Sequence, residues 1–209
     1  MSRPHIRRRE AAAIVAMPWV PWVWGAARAQ TAPTRRATPA QTEGPFYPVN
    51  LPKDTDFDLL RNGALNYTHG QPAWVEGTLT DLQGKPIAGA QVEIWQCDES
   101  GHYHHPGDGG RADPAFQGFG RVVADAQGAW RFRTIRPAPY SGRTPHIHFK
   151  VKLAGTELLT TQLYVEGDPH NPRDGLWRGL SPEARAAVTV PFVDGTDGLR
   201  ARFPIIIAT

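Results

Sequence analysis

Two histidines separated by one residue are the feature of this sequence best suited to chemistry. His146 and His148 lie in the stretch HIHFKV, where Ile147, Phe149 and Val151 alternate with polar residues. Successive side chains of a strand point to opposite faces, so the two imidazoles share one face and the apolar residues share the other. Two strand rises separate their Cα atoms by about 6.5 to 7 Å, which suits two ligands of one metal ion. The pattern indicates a metal site, although histidines also occur on ordinary strand surfaces.

The other donors near this strand are phenols. Cys97 is the only cysteine, which excludes a zinc site built on several thiolates. Carboxylates are also scarce here, because no Asp or Glu occurs between residues 125 and 157. Tyr140 lies six residues before the first histidine in a proline-rich loop, and Tyr103 lies in GHYHHPGD after the stretch QVEIW. Phenolate is a hard donor that suits Fe³⁺ better than Zn²⁺ or Cu⁺. Two phenolates and a hydroxide would balance Fe³⁺, and two neutral histidines would complete five ligands. Tyrosine needs such a cation to ionise, because its usual pKa is about 10.

Five stretches that follow one another along the chain resemble the intradiol ring-cleavage dioxygenases, the non-haem ferric enzymes that cleave catechols between their two hydroxyls. The stretches are TEGPFYP, WQCDESGHYHHP, GFGRVVADAQGAWRFRTIRPAPY, RTPHIHF and TTQLYVEGDP. They fall within residues 42–172, and their order together with the four candidate ligands makes the resemblance specific. The chain is most similar to the iron-bearing chain of the protocatechuate dioxygenases.

This resemblance implies a role for each candidate residue. It assigns four ligands to a ferric ion, which are Tyr103, Tyr140, His146 and His148. Tyr140 and His148 would form the axial pair, and Tyr140 would also accept a substrate proton. Arg143 would face the substrate, where its permanent charge stabilises negative charge on the reacting catecholate. Gln162 would contact the substrate or the ligands. The implied reaction is intradiol cleavage of a catechol-type aromatic by O₂ to a muconate-type diacid, with the metal as a Lewis acid.

Two other functions fit parts of the sequence. GTLTDLQGKPIAGAQVEIW alone resembles transthyretin-like and carboxypeptidase-regulatory sandwiches, which would make the protein a non-enzymatic binding module. That hypothesis leaves both tyrosines, Arg143 and the histidine pair unexplained. A copper or zinc site for another reaction gives the two phenols no role. Glu43 and Tyr47 are further candidates for the border of the substrate entrance, and His105 is a candidate for contact with the site.

The elements that must position these residues are short strands. The chain has 21 Gly and 20 Pro among 209 residues, which favours many turns and few long helices. The predicted strands lie in WVEGTLTDLQGKPIAGAQVEIWQC, RVVADAQGAWRFRTI, HIHFKVKLAG, ELLTTQLYVEG, AAVTVPFVDG and LRARFPIIIA. The second stretch is predicted to form a hairpin around residues 125–128. One helix is predicted after Ser181, with Pro182 at its first position. The pattern predicts an all-β fold, an antiparallel β-sandwich with long active-site loops and little helix, over residues 43–209.

The N-terminal stretch up to Ala29 has the layout of an export signal. Adjacent arginines at positions 7–9 precede the apolar run AAAIVAMPWVPWVWGAA, and the small residues Ala27 and Ala29 stand where a signal peptidase reads. The adjacent arginines favour the twin-arginine route, which carries folded proteins. We therefore expect a signal peptide over residues 1–29, a flexible linker over residues 30–42, and a periplasmic or extracellular location.

Charge and hydropathy exclude several classes of partner. The predicted signal peptide contains five arginines and one glutamate, so its removal lowers the formal net charge of +3 by four, to −1. The basic balance therefore gives no reason to expect nucleic acid. No stretch reaches the ~18 apolar residues of a membrane span, and one cysteine permits no internal disulfide. The expected partners are a catechol-type substrate and O₂, and the resemblance allows either a homo-oligomer or pairing with a related chain.

Overall fold

The computed structural model describes residues 35–208, which are mainly strands and loops. The strands are β1 Arg61–Asn62, β2 Leu65–Asn66, β3 Pro72–Asp81, β4 Gln91–Trp95, β5 Phe119–Val123, β6 Ala129–Ile135, β7 His146–Leu153, β8 Thr156–Val165, β9 Thr189–Val190, β10 Val193–Gly195, β11 Gly198–Arg202 and β12 Ile205–Ile207. The helices are α1 Gly175–Gly179 and α2 Pro182–Val188, with 3-10 turns at Pro106–Asp108 and Asn171–Arg173. None of the described helices has the length and apolar character needed to cross a membrane. The predicted signal peptide lies outside the described residues.

Two five-stranded sheets pack face to face around the core. In the first sheet, β3 pairs with β6, β11 and β12, and β10 extends the sheet beyond β11. The second sheet has the order β5-β4-β7-β8-β9. Apolar side chains from both sheets meet between them, as where the rings of Phe149 and Phe203 lie 5.1 Å apart and those of Phe149 and Trp130 lie 5.3 Å apart. The predicted all-β sandwich with little helix is confirmed.

The predicted hairpin around residues 125–128 is wrong. The turn itself is present, because the Asp125 amide donates to the Ala129 carbonyl at 3.0 Å and the Gly128 amide donates to the Asp125 carbonyl at 2.9 Å. However, β5 pairs with β4 in one sheet and β6 pairs with β3 in the other. A short turn can connect strands of two different sheets as well as two paired strands of one sheet. The side chains alternate in the same way in both cases, so the sequence pattern does not distinguish them.

The sheets are mixed rather than purely antiparallel. β11 and β12 run parallel to β3, and β9 runs parallel to β8. Parallel neighbours need long crossover connections, and here long stretches of chain separate β3 from β11 and β8 from β9. The antiparallel prediction therefore holds for β7, which carries the two histidines, and its neighbours β4 and β8. It fails for the three parallel pairs.

The folded region begins before the predicted boundary at residue 43. Residues 30–34 of the predicted linker lie outside the described part of the chain, whereas residues 38–42 are bonded to strands. The Thr38 amide donates to the Ile206 carbonyl and the Gln41 amide donates to the Thr160 carbonyl, both at 2.8 Å. A composition rich in Pro, Thr and Ala is found in flexible linkers and also in extended segments that lie on a sheet. The composition therefore did not show that residues 38–42 belong to the folded region.

The helix predicted after Ser181 is confirmed as α2. The structure also contains the helix α1, which the sequence did not predict. The Ser181 hydroxyl accepts a bond from the Ala184 amide at 3.2 Å, so it caps α2. The unpredicted helix α1 is only five residues long and is capped by Asp174, whose carboxylate accepts bonds from the Leu176 and Trp177 amides. So short a helix has no apolar periodicity that a sequence pattern could reveal.

Candidate metal centre

Strand β7 places the two histidines side by side on the outer face of the second sheet. Ile147 and Phe149 point into the core and are fully buried, as the alternation predicts. His146 and His148 are also buried, and their Nε2 atoms lie 3.2 Å apart. The two nitrogens therefore converge on one point, which is the arrangement that two ligands of one metal ion require.

Both imidazoles are neutral at pH 7. Burial, together with the nearby Arg143 charge, lowers the pKa of His146 to about 4, and burial lowers the pKa of His148 well below its usual value. The His146 Nδ1 atom lies 2.6 Å from the Thr144 carbonyl, which can only accept, so the proton is on Nδ1. The Nε2 lone pair of His146 is then free to bind a metal ion, an orientation typical of ligand histidines. The ring of His148 is stacked on Trp95 at 4.8 Å.

A two-residue turn positions Tyr140 beside Arg143. Ser141 and Gly142 have φ angles of 43° and 77°, and the Arg143 amide donates to the Tyr140 carbonyl at 2.7 Å. Both central residues thus have positive φ, as in the tight turns that close hairpins, and Gly142 adopts this conformation without strain. Residues that face each other across such a turn project to the same side. The sequence YSGR therefore delivers a phenol and a guanidinium to one place.

Carboxylates shape the loop that carries Tyr103. The Asp108 carboxylate accepts a bond from the Tyr103 amide at 2.7 Å. The Asp98 carboxylate accepts bonds from the His102 amide at 3.0 Å and from the Asp113 amide at 2.8 Å. Loop amides without a ladder partner need such acceptors. These bonds define the path of the chain on both sides of Tyr103.

The rings of the four candidate ligands come together. Ring centroids are 5.1 Å apart for Tyr103 and Tyr140, 5.4 Å for Tyr140 and His146, and 6.2 Å for Tyr103 and His148. Tyr103 is only 2% exposed, whereas Tyr140 is half-buried. The structure thus gathers all four side chains from the β4–β5 loop, the 140–143 turn and strand β7.

The donor set fits a ferric ion. The Tyr103 hydroxyl is buried and has no hydrogen-bond partner among residues 35–208, a situation that is costly for a polar group. Burial raises the pKa of both Tyr103 and Tyr140, and only a nearby positive charge would let them ionise. The same described range contains no group of three or more His, Cys, Asp or Glu side chains suited to a metal. Two neutral nitrogens and two phenol oxygens are the donors that Tyr103, Tyr140, His146 and His148 would offer to Fe³⁺.

Arg143 and Gln162 contact each other next to these ligands. The Arg143 Nη2 atom donates to Gln162 Oε1 at 2.8 Å, and the Gln162 side chain donates to the Thr42 carbonyl at 3.0 Å. Gln162 is fully buried and lies opposite His148 in the β7–β8 ladder. The arginine side chain is 20% exposed, so part of the guanidinium remains accessible to a substrate.

Asp174 is a site residue that the sequence did not predict. Its carboxylate accepts a bond from Arg143 Nε at 2.7 Å and from the Thr144 amide at 2.9 Å, besides capping α1. Burial alone would raise its pKa, but bonds from the Trp177 amide and from Arg143 lower it, so it is ionised at pH 7. In the sequence, the only signal at Asp174 was the stretch DGLW, in which an aspartate that can cap a helix precedes a short helix. Asp174 and Gln162 thus bond to two different nitrogens of the Arg143 guanidinium, Nε and Nη2.

The His105 backbone amide donates to the carbonyl of the candidate ligand Tyr103 at 2.7 Å, while the His105 side chain bonds within its own loop. Its Nδ1 atom accepts a bond from the Gly107 amide at 3.0 Å, so it caps the 3-10 turn. Its ring lies edge-on to Phe46 at 5.6 Å, and Phe46 in turn is stacked on Tyr103 at 4.6 Å. His105 therefore belongs to the surroundings of the site.

Comparison with known proteins shows the family of the chain. A family model described as dioxygenase matches residues 42–207. The chain is 32% identical to a hydroxyquinol 1,2-dioxygenase of Corynebacterium glutamicum over 82% of this chain and 64% of that protein. It is 36% identical to a protocatechuate 3,4-dioxygenase beta chain of Burkholderia cepacia over 73% of this chain and 72% of the relative.

The solved structures agree as well. The dioxygenase domain of a dioxygenase–carbohydrate-binding fusion from a Streptomyces species superposes with a TM-score of 0.66 at 31% identity, covering 83% of this chain and 99% of that domain. The relatives are often longer, and the chain spans 64% of the Corynebacterium protein and 49% of a hydroxyquinol 1,2-dioxygenase of Rhodococcus opacus.

Proposed function

The chain belongs to the intradiol ring-cleavage dioxygenase family, and from this premise we propose that it cleaves catechol-type aromatics between their two hydroxylated carbons with O₂. The observation that supports this proposal is the convergence of two neutral imidazoles and two phenols beside an accessible arginine. Relatives are named for catechol, hydroxyquinol and protocatechuate, all of which are catechols. We propose that substrate class for this chain, with ferric iron held by Tyr103, Tyr140, His146 and His148.

The difference in burial between the two tyrosines gives them different roles in this proposal. A bound ferric ion would supply Lewis-acid chemistry that activates the aromatic ring. Tyr103 is almost fully buried and serves only to bind and orient. Tyr140 is half-buried on an exposed turn, so an entering catechol reaches its Oη and transfers a hydroxyl proton to it.

Arg143 acts on charge rather than on protons. Its guanidinium remains protonated, and its carboxylate partner and Gln162 hold the planar group in one orientation. The guanidinium of Arg143 stabilises negative charge that develops on the substrate, and it does so without having to move during the reaction. Burial raises the pKa of Tyr140 and Arg143 partly offsets that rise, so the arginine also favours the phenolate form.

The ferric site is tested by colour and by product. Protein loaded with ferric iron is expected to absorb visible light through phenolate-to-iron charge transfer, whereas zinc-loaded protein stays colourless. Supplied with ¹⁸O₂ and a panel of catechols, the iron protein should form a ring-opened diacid that contains both labelled atoms. A folded sample with one iron per chain and no visible band would contradict the ligand set. A coloured protein that opens no catechol would contradict the substrate class.

We also propose that the protein is exported and acts outside the cytoplasm. The support is the pattern of the N-terminal stretch, in which arginines precede an apolar run and Ala27 and Ala29 mark a cleavage site. N-terminal sequencing of protein made from the full chain in a bacterial host is expected to begin at Gln30. A mature protein that still begins at or near Met1 would be inconsistent with export by this route.

A further inference from the structure

Residues 41–47, here named the covering segment, lie across the outer face of the second sheet. At one end, Gln41 donates from Nε2 to the Thr161 hydroxyl and the Gln162 carbonyl, both at 3.0 Å, and accepts from the Tyr164 hydroxyl at 2.7 Å. At the other end, the Tyr47 hydroxyl donates to the Glu93 carboxylate at 2.8 Å. The segment is thus attached on both sides of the two histidines.

The covering segment is packed against the rings of the candidate ligands. Gly44 has a φ of +72°, and a Cβ atom built there would lie 3.3 Å from His148 Cε1. The backbone therefore passes directly against that imidazole. The ring of Phe46 is stacked on Tyr103 at 4.6 Å and 20°. The Phe46 ring also lies edge-on to Tyr140 at 5.7 Å. Three of the four candidate ligands, His148, Tyr103 and Tyr140, are therefore packed against this one segment.

A buried lysine fastens the middle of the covering segment. Lys150 follows His148 by two residues on the same strand face, and its side chain is only 7% exposed. Its ammonium is ion-paired with Glu43 of the segment and lies 3.2 Å from the Glu157 carboxylate on β8. It also lies 4.1 Å from the ring centroid of Tyr47. A charge buried to this degree requires such partners, and two of the three belong to the segment.

We propose that Lys150 is a positioning residue for the metal centre, because its ion pair with Glu43 holds the covering segment against His148 and Tyr103. The ligand rings then keep the orientation that metal binding requires, as outer-shell contacts do in other metal sites. This inference rests on the proposed function for the identity of the ion. The attachment of the segment itself can be tested without any metal.

The two carboxylates of Lys150 provide a matched pair of variants. Glu43 and Glu157 are similarly exposed, at 42% and 49%, and contact the same ammonium, but only Glu43 belongs to the covering segment. In the metal-free protein, Glu43→Ala should accelerate amide hydrogen exchange at Gly44 and Phe46, with the Gln41 amide as an internal reference. In the iron-loaded protein it should release Fe³⁺ to a chelator about tenfold faster, within the range seen for outer-shell residues. Glu157→Ala should change neither rate by more than about twofold.

Variants of Lys150 itself complete the test. Lys150→Met keeps the aliphatic stem and should match or exceed the effects of Glu43→Ala, while Lys150→Arg should restore slow exchange and slow iron release. Equal effects of Glu43→Ala and Glu157→Ala would overturn the inference, as would iron release that is unchanged in Lys150→Met. A parent protein that binds no ferric ion would instead overturn the proposed function, and the exchange rates would still decide whether Lys150 holds the segment.

Discussion

Replacement of His148 by alanine is expected to abolish stable iron binding and ring cleavage while the sandwich stays folded. The variant removes one of two imidazole nitrogens that converge to 3.2 Å, and residues 35–208 contain no group of three or more His, Cys, Asp or Glu side chains that could form another metal site. Losing an outer-shell partner of a metal ligand costs roughly 10- to 100-fold in affinity, so the loss of a ligand should exceed about 100-fold. Iron content per chain after dialysis, measured beside turnover, checks this result.

The fold should survive this change because the core does not depend on the site. The apolar cluster between the sheets includes Phe132, Phe149 and Phe203, which lie on the inner side of the strands. His148→Ala leaves a cavity beside Trp95, at a cost on the order of 2–4 kcal/mol for a large-to-small change in a buried site. Circular dichroism and a thermal unfolding midpoint should therefore show a folded but less stable protein.

His105→Ala serves as the matched control. It removes a histidine near the site that binds no metal in this scheme. Its side chain caps a 3-10 turn and lies edge-on to Phe46. The control should keep its iron. An His148→Ala protein that keeps one iron per chain through dialysis would show that the metal lies elsewhere.

The sequence contained enough information to predict which side chains come together as candidate ligands, but not the contacts that hold them. Period-two alternation in HIHFKV placed both histidines on one face, and β7 has that pattern. The pairing of β5 and β6 with different sheets could not be predicted, because a turn sequence such as DAQG does not specify its layer. Local patterns thus determined which face each side chain occupies, while the partners across the sheets depended on the whole topology.

The residues that sequence reasoning missed act over long separations along the chain. Asp174 contacts Arg143 from 31 positions away, and Lys150 contacts Glu43 from 107 positions away. A single Asp before a short helix, or a lysine on an alternating strand, has the ordinary explanation of a cap or a solvated charge. Only the packing of the loops onto the outer face of the second sheet shows that both side chains are buried beside the candidate ligands.

Arg143→Leu is expected to separate metal binding from catalysis. The arginine contributes no metal donor, so the variant should keep its iron and most of its visible absorption. Because Arg143 opposes the burial-driven rise in the pKa of Tyr140, a modest shift of the absorption band is expected. The rate of ring cleavage should fall on the order of 100-fold or more, which is the usual cost of deleting one preorganised charge-stabilising group.

Two further variants distinguish charge from orientation. Arg143→Lys should recover little of the lost rate, because an ammonium on a flexible stem cannot keep the bonds to Asp174 and Gln162 together. Asp174→Asn keeps the shape of the side chain but removes its negative charge and replaces one acceptor oxygen with an NH2 donor. It should lower kcat by about tenfold, the lower end of the range for residues that orient a functional group.

Arg136 supplies the control for a lost ion pair. It is partly exposed and bonds to the buried Asp168 carboxylate at 3.1 Å, much as Arg143 bonds to Asp174. Arg136→Leu should destabilise the fold less than Arg143→Leu does, because its ion pair is more exposed. It should leave kcat within about threefold of the parent. The decisive comparison is iron content, absorption spectrum and kcat on the same samples. If Arg143→Leu cleaves catechols as fast as Arg136→Leu does, the Arg143 guanidinium has only a structural role through its bonds to Asp174 and Gln162. Another group must then stabilise the negative charge of the reacting substrate.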